Sequence, residues 1–147
     1  MIHFRDITED NYEECINLCV DEHQINFVGS NVSSLAKAYI YGKKVRPFGI
    51  YNDNTMVGFL LLRYNHDFNN CFLWELMIDR NYQSKGYGKA AITLLIDWVK
   101  NNTDCSAITT TYKTDNYWAG NLYKSSGFKY LDSCPEHNEE DLILHIK

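Results

Sequence analysis

The chain has 147 residues, of which 45% are hydrophobic and 14% aromatic, and only two are prolines. This length and composition fit one folded domain, residues 1–147, and exclude an intrinsically disordered protein. The formal charge of -5, from 14 basic and 19 acidic residues, argues against nucleic-acid binding, since such domains usually carry a basic face. A mild negative charge leaves room for a cationic partner.

The five cysteines and five histidines show no spacing typical of a disulfide framework or a zinc site, because CxxC, HxxxH and HxH patterns are all missing. We therefore expect reduced thiols, a cytoplasmic protein and no metal. The first residues do not combine a basic start with an apolar run, so no signal peptide is expected. No stretch approaches the ~18 apolar residues of a membrane helix, so no membrane partner is expected.

The first half of the chain predicts one strand, two helices and then three strands. Residues 2–7 alternate apolar and polar, as a half-buried strand does. A helix is predicted over about 9–22 and a second one over 32–41, and Pro47 is expected to close this region. The third of the following strands is almost continuously apolar, which indicates a central strand buried on both faces. These three strands are predicted at 48–51, 56–64 and 71–79.

The second half predicts two helices and three strands. Residues 86–101 have a wide apolar stripe typical of an amphipathic helix, and Gly127 is placed to end a helix over 116–126. A Thr-rich strand at 105–112 lies between them. Two final strands, at 128–132 and 141–146, flank an acidic loop at 133–140. The order β-α-α-β-β-β-α-β-α-β-β predicts an α+β fold, with helices packed on a mixed central β-sheet.

The segment 83–89, Gln-Ser-Lys-Gly-Tyr-Gly-Lys, lies between the apolar strand and the long helix. A helix N-terminus offers free N–H groups and a partial positive charge to an anion, and glycines let the backbone close around it. Lys85 and Lys89 add positive charge. The preceding strands look like antiparallel hairpins, which disfavours a Rossmann unit, and Ala90 stands where a Walker loop needs Ser or Thr.

Two motifs resemble those of the GNAT acetyltransferase superfamily. Gln83-x-x-Gly86-x-Gly88, after an apolar strand, is similar to its [QR]-x-x-G-x-[GA] turn. The element order matches as well, so the resemblance covers nearly the whole chain. Within the superfamily, the sequence of these segments resembles that of bacterial diamine and polyamine (spermidine/spermine) N-acetyltransferases. The second motif, similar to N-x-x-A-x-x-L-Y-x-x-x-G-F, is formed by Asn116, Ala119, Leu122, Tyr123, Gly127 and Phe128.

The resemblance implies a GNAT-like fold and transfer of the acetyl group of acetyl-CoA to a primary amine of a small cationic acceptor, such as a polyamine. Acetylation of a protein or peptide amine, and a non-catalytic CoA-binding module, remain alternatives. Dimers are common in the family, so a homodimer is expected, with the final strand as a candidate interface edge. The backbone amide of Ile78 is expected to face the thioester oxygen. The residues expected to hold the cofactor are Met77, Ile78, Gln83, Ser84, Lys85, Gly86, Tyr87, Gly88, Lys89, Asn116, Ala119 and Tyr123.

Tyr123 is the candidate proton donor. Asn116, Ala119 and Tyr123 stand at i, i+3 and i+7, so they share one helix face. A phenol with a pKa of about 10 stays protonated at neutral pH and can protonate a leaving thiolate, which is the role that the resemblance gives to this tyrosine. The alternative is a core tyrosine on an amphipathic helix.

Glu75 is the second catalytic candidate, because it interrupts a strand that should be buried, where a carboxylate is costly unless it is paired or used. It would position the cationic amine, pass its proton to water as a general base, or form a structural ion pair with Arg5 or Arg63. Glu22 is a further candidate for binding the amine. Cation–π contact with the acceptor is expected from an aromatic side chain, with Trp74 as the first candidate and Tyr41 and Trp118 as others.

Overall fold

The computed structural model describes all 147 residues as a seven-stranded sheet with four α-helices. The strands are β1 (Ile2–Asp6), β2 (Val45–Asn52), β3 (Thr55–Asn65), β4 (Asn70–Ile78), β5 (Ala107–Lys113), β6 (Lys129–Cys134) and β7 (Glu139–His145). The helices are α1 (Tyr12–Ile16), α2 (Asn31–Tyr41), α3 (Tyr87–Asn102) and α4 (Tyr117–Ser125). The sheet order is β1-β2-β3-β4-β5-β7-β6, and only the β4–β5 pair is parallel. The predicted α+β class, mixed sheet and element order are therefore confirmed.

Helices cover both faces of the sheet. A core cluster of 20 buried residues joins the sheet to α3 and α4, and a smaller one of 7 residues joins it to α1 and α2. No helix combines the length and the apolar character needed to cross a membrane. No three His, Cys, Asp or Glu side chains are grouped so that they could hold a metal ion.

The predicted helix over 9–22 is wrong after residue 16, where α1 ends. Cys15 in α1 is buried, whereas Cys19, beyond the end of the helix, is exposed. The Cys19 N–H donates to Asp79 Oδ1 at 2.8 Å, and the Cys19 carbonyl accepts from the Arg80 N–H at 2.7 Å. These bonds to the end of β4 replace the helical pairing of this segment.

Pro47 was expected to close the region before the strands, but it lies inside β2. Its neighbour on β3 is Leu61, while β1 begins to pair with β2 only at Phe48. At Pro47 the strand therefore has a free side, which is where a residue without an N–H group is tolerated.

The predicted acidic loop at 133–140 is shorter in the structure, where only 135–138 lie outside the strands. β6 and β7 extend into it and pair as far as Cys134 and Glu139. Lys113 on β5 lies 3.7 Å from Glu139, so the acidic side chains have a partner on the neighbouring strand. The final strand is not an edge, since β7 lies between β5 and β6; the exposed edge is β6.

The sheet is split between β4 and β5, and this split positions the site. The parallel pairing runs only from Asn70 opposite Ala107 to Leu73 opposite Thr110. Beyond these rungs β4 continues to Ile78 and β5 to Lys113 without pairing to each other. The diverging strands open a cleft, which we call the β4–β5 cleft.

Candidate active site

A bulge in β4 sets the direction of the side chains at the cleft. The β3–β4 register pairs Leu61 with Glu75 but Leu62 with Leu73, so Trp74 is an extra residue. Leu73 and Leu76 therefore both belong to the core beneath α3 and α4. Trp74 packs against the core on the opposite, α1–α2 side of the sheet, and the Glu75 contacts described next lie on that side too.

Glu75 is mostly enclosed, with 16% of its side chain exposed. Its Oε1 lies 4.0 Å from Lys37 Nζ, and its Oε2 accepts from the Gly29 N–H at 3.4 Å. Burial raises the pKa of the Glu75 carboxyl, although the Lys37 charge and the Gly29 hydrogen bond lower it in part. The expected ion-pair partners Arg5 and Arg63 are wrong, because their guanidinium groups lie over tyrosine rings instead.

Trp74 forms an aromatic wall beside this carboxylate. Its ring meets the Tyr41 ring nearly edge-on, with the centroids 5.4 Å apart. Lys37 Nζ lies over the Trp74 ring at 4.6 Å from the centroid, and Arg63 Cζ at 5.4 Å. The arrangement already holds cations by cation–π contact.

Tyr123 is buried in the β4–β5 cleft, where it lines the same cavity as Glu75. Burial raises the pKa of its phenol to about 12; the neighbouring Thr110 hydroxyl opposes this and the charge of Glu75 adds to it. The Thr110 hydroxyl also donates to the Leu73 carbonyl at 2.9 Å, at the last rung of the β4–β5 pairing. Tyr123 is therefore a protonated phenol at the point where the strands separate.

The first turns of α4 place three predicted residues on one face. Asn116, Ala119 and Tyr123 are all buried and line the cavity that contains Glu75. The Asn116 side chain caps the helix, since its Oδ1 accepts from the Ala119 N–H at 3.3 Å. The structure thus gives Asn116 a defined role in orienting α4.

The turn at 83–89 presents a row of free backbone donors. The N–H groups of residues 84–89 donate no hydrogen bond within the protein. Ser84 and Gly86 have positive φ values of 62° and 82°, which bend the chain so that it enters α3 without a side-chain cap. Lys85 and Lys89 are exposed and have no ion-pair partner. Free donors and two cations are the features of an anion site at a helix N-terminus.

A groove runs from this turn to α4, with a cavity of about 140 Å³. A Cβ atom on Gly88 would lie 3.2 Å from Trp118 Cζ2, so glycine allows α3 and α4 to approach here. Trp118 therefore borders the groove of the anion turn, and it also lines the cavity that contains Glu75. The Tyr87 hydroxyl accepts a hydrogen bond from the Asn52 side chain at 3.0 Å. The Tyr87 side chain is therefore engaged with β2, and its backbone N–H is free to face the groove.

Gln83 has a role that the sequence did not reveal. Its Nε2 donates to the Ile78 carbonyl at 2.9 Å and to Gln24 Oε1 at 2.8 Å. It thereby joins the end of β4 to the segment between α1 and α2, and its side chain is not directed to an anion. Gln24 was not predicted, and its isolated position in a polar segment gave no signal.

The end of β4 exposes Ile78, but not Met77, to the cleft through its backbone. The Asp79 N–H donates to the Val57 carbonyl on the β3 side at 2.8 Å. Because backbone groups alternate along a strand, Met77 also faces β3, while Ile78 and Leu76 face away from it. The Met77 backbone therefore faces β3 rather than the cleft, and the backbone of Leu76, which was not predicted, faces the cleft with that of Ile78.

Glu22 is not brought together with Glu75. It is exposed and lines a separate cavity of about 460 Å³ together with Arg80, on the α1–α2 side of the sheet. The cavity that contains Glu75 and Tyr123 is closed on this side by Phe27 and Val28 instead. These two residues were not predicted, because they lie in a segment without clear periodicity.

The structure has a turn of free N–H donors, a split between two parallel strands and a buried phenol at that split. Comparison with known proteins identifies the family. The sequence model described as Acetyltransferase (GNAT) family matches residues 4–128. The chain belongs to the GNAT family. The predicted enzyme class, an acetyl-CoA-dependent N-acetyltransferase, is confirmed by this membership.

Similar proteins cover almost the full length of this GNAT chain. The spermine/spermidine N(1)-acetyltransferase of Bacillus subtilis (strain 168) is 31% identical over 153 residues, which cover 99% of each chain. The structure of spermidine N-acetyltransferase from Vibrio cholerae in complex with CoA and spermine has a TM-score of 0.80 at 15% identity, and the match covers 98% of this chain and 95% of that one. A dodecameric structure of spermidine N-acetyltransferase from the same organism has a TM-score of 0.79 at 16% identity, covering 99% and 94%. The predicted GNAT fold is confirmed.

Proposed function

We propose that this protein transfers the acetyl group of acetyl-CoA to a primary amine of a polyamine such as spermidine or spermine, within one N-acetyltransferase domain. The observation that carries the proposal is the β4–β5 cleft, where the anion turn, the Tyr123 phenol and the Glu75 carboxylate converge. The names of the similar proteins from Bacillus subtilis and Vibrio cholerae support the choice of a polyamine. A negatively charged protein of charge -5 also suits a cationic acceptor.

The residues around the cleft fit acetyl-CoA. The free N–H groups of residues 84–89, with Lys85 and Lys89 nearby, suit a pyrophosphate. The backbone groups of Leu76 and Ile78 that face the cleft suit an amide-containing pantetheine arm. When bound, acetyl-CoA supplies the activated acetyl group as a thioester.

Three groups of the chain would carry the chemistry. Glu75, beside the Trp74 ring, holds the acceptor cation and takes its proton or passes it to water, because the amine must be neutral when it attacks. The Ile78 N–H faces the cleft and would stabilise negative charge on the carbonyl oxygen. Tyr123 keeps its proton at neutral pH and donates it from its hydroxyl to the leaving sulfur.

We further propose that the chain works in the cytoplasm as a homodimer. The exposed edge of the sheet supports an association between copies, since Tyr130 and Leu131 on β6 are 60% and 50% exposed. Light scattering coupled to size-exclusion chromatography would measure the mass in solution. A mass equal to a single chain, or to a larger assembly, would contradict the homodimer.

The function is tested by initial rates of thiol release from acetyl-CoA with a panel of amines. Spermidine, spermine, simple diamines, aminoglycosides, amino acids and lysine-containing peptides would be compared at one pH. We expect the highest kcat/KM for the polyamines. A higher value for a peptide would replace the proposed acceptor, and no release with any amine, despite CoA binding, would favour a CoA-binding module.

A further inference from the structure

Lys37 lies where an acceptor ammonium would be expected. Its Nζ is 4.0 Å from Glu75 Oε1 and 4.6 Å from the centroid of the Trp74 ring. The side chain of Lys37 is 31% exposed and that of Glu75 16% exposed, and Lys37 is the one ion-pair partner of this carboxylate. The cation that faces Glu75 in the free protein is thus supplied by the chain itself.

The surroundings of this ammonium have the composition of a cation subsite. A carboxylate and the face of a tryptophan are the two groups that attract an alkylammonium most strongly. Tyr41 closes one side, edge-on to Trp74. The Gly29 N–H holds the second carboxylate oxygen at 3.4 Å, and a Cβ atom on Gly29 would lie 3.2 Å from Glu75 Oε1. The carboxylate is therefore fixed independently of Lys37.

We infer that Lys37 is a built-in competitor of the acceptor: its ammonium fills the subsite formed by Trp74 and Glu75 in the free enzyme and leaves when an acceptor ammonium enters. The inference rests on the proposed function, because it concerns the acceptor of that reaction. Lys37 therefore raises the acceptor concentration that the enzyme needs.

Two physical considerations support this exchange. An unpaired carboxylate with 16% exposure would be costly, so Lys37 neutralises Glu75 while no acceptor is bound. Lys37 is also able to leave, because it is partly exposed on α2 and its ammonium ends a flexible four-carbon chain that is readily hydrated. Each ammonium replaces another, so the charge of the subsite is the same before and after binding.

The test is the KM for spermidine in Lys37→Met, measured by thiol release at saturating acetyl-CoA and at alkaline pH, so that Glu75 stays ionised. Since a partly exposed ion pair no longer has to be broken, we expect KM to fall about threefold, with kcat unchanged. Lys37→Arg keeps a cation at the subsite and should leave KM close to that of the wild type.

Lys43→Met is the matched control, because it removes an exposed lysine just after α2 and changes the net charge by the same amount. Its KM should not change, which separates local competition from long-range attraction of the polyamine. An equal fall in KM in both lysine variants would overturn the inference. An unchanged or higher KM in Lys37→Met would also overturn it.

Calorimetric titration of spermidine into each variant, without acetyl-CoA, gives a readout that does not depend on turnover. Tighter binding to Lys37→Met than to the wild type supports the competitor role, even if the wild type acetylates no amine and the proposed function fails. Normal turnover of spermidine by the wild type, with equal or weaker binding to Lys37→Met, would refute the competitor role and leave the proposed function intact. No binding of spermidine to any variant would contradict both.

Discussion

Replacing Tyr123 with Phe removes one oxygen atom from the cleft and leaves the ring in place. The ring packs against Tyr112 and Phe128, with centroid distances of 6.5 and 5.6 Å, and these contacts do not need the hydroxyl. Thr110 keeps its 2.9 Å hydrogen bond to the Leu73 carbonyl. Since the net contribution of one hydrogen bond is about 1 kcal/mol, the variant should fold, with a small decrease in its melting temperature.

The effect on catalysis should be much larger than the effect on stability. A positioned general acid contributes about 100- to 10,000-fold to a rate, so kcat should fall by at least about 100-fold in Tyr123→Phe. The KM for acetyl-CoA should change little, because the anion turn at 83–89 is untouched. Initial rates of thiol release with spermidine measure both constants, and scanning fluorimetry measures the melting temperature.

Tyr39→Phe is the matched control, since Tyr39 is 86% exposed and should tolerate the same change without loss of activity. A pH series adds an independent check. An ordinary phenol loses its proton near pH 10, as its pKa is about 10, whereas the pKa of Tyr123 is raised to about 12. Wild-type kcat should therefore not decline through that range. A Tyr123→Phe variant with nearly wild-type kcat would refute the general-acid role.

Three further substitutions test other parts of the site. Burial raises the pKa of the Glu75 carboxyl in the folded protein, so the folded state favours the protonated carboxyl. The stability that Glu75 contributes is therefore fully present below the ordinary carboxyl pKa of about 4, and it is lost as pH rises through the raised pKa. Glu75→Gln should consequently raise the melting temperature at neutral pH and not in acid; a lower value at neutral pH would contradict this. Gly88→Ala places a methyl 3.2 Å from Trp118 and should weaken CoA binding in calorimetry, and unchanged affinity would remove Gly88 from the groove. Gly58→Ala places a methyl against the Met77 carbonyl oxygen and should lower the free energy of unfolding in urea by about 1–3 kcal/mol, whereas no loss would mean that the strands separate freely there.

The features predicted correctly from the sequence depend mostly on local patterns. The glycines and lysines of 83–89 marked a turn before a helix, and the structure places free N–H groups there because Ser84 and Gly86 adopt positive φ. The spacing of Asn116, Ala119 and Tyr123 predicted a shared helix face for the same reason: a helix has a fixed period. Each of these features depends on residues that are close in the sequence.

Features set by distant residues were not predictable. α1 ends early because Cys19 bonds to Asp79, 60 residues away, and no local signal announces that contact. The bulge at Trp74 depends on the β3–β4 register, and Glu75 follows it on the side of the sheet that faces α2. Lys37 as the partner of Glu75 follows from that position, so the sequence pointed to arginines on other strands instead.

Acetyl transfer from acetyl-CoA to a polyamine in the β4–β5 cleft is the proposed reaction. Incubation of the protein with isotope-labelled acetyl-CoA and spermidine, followed by mass spectrometry of the amine, tests it most directly. We expect labelled N-acetylspermidine in the wild type and almost none in Tyr123→Phe. Release of free thiol without labelled amine, or equal labelling by both proteins, would contradict it.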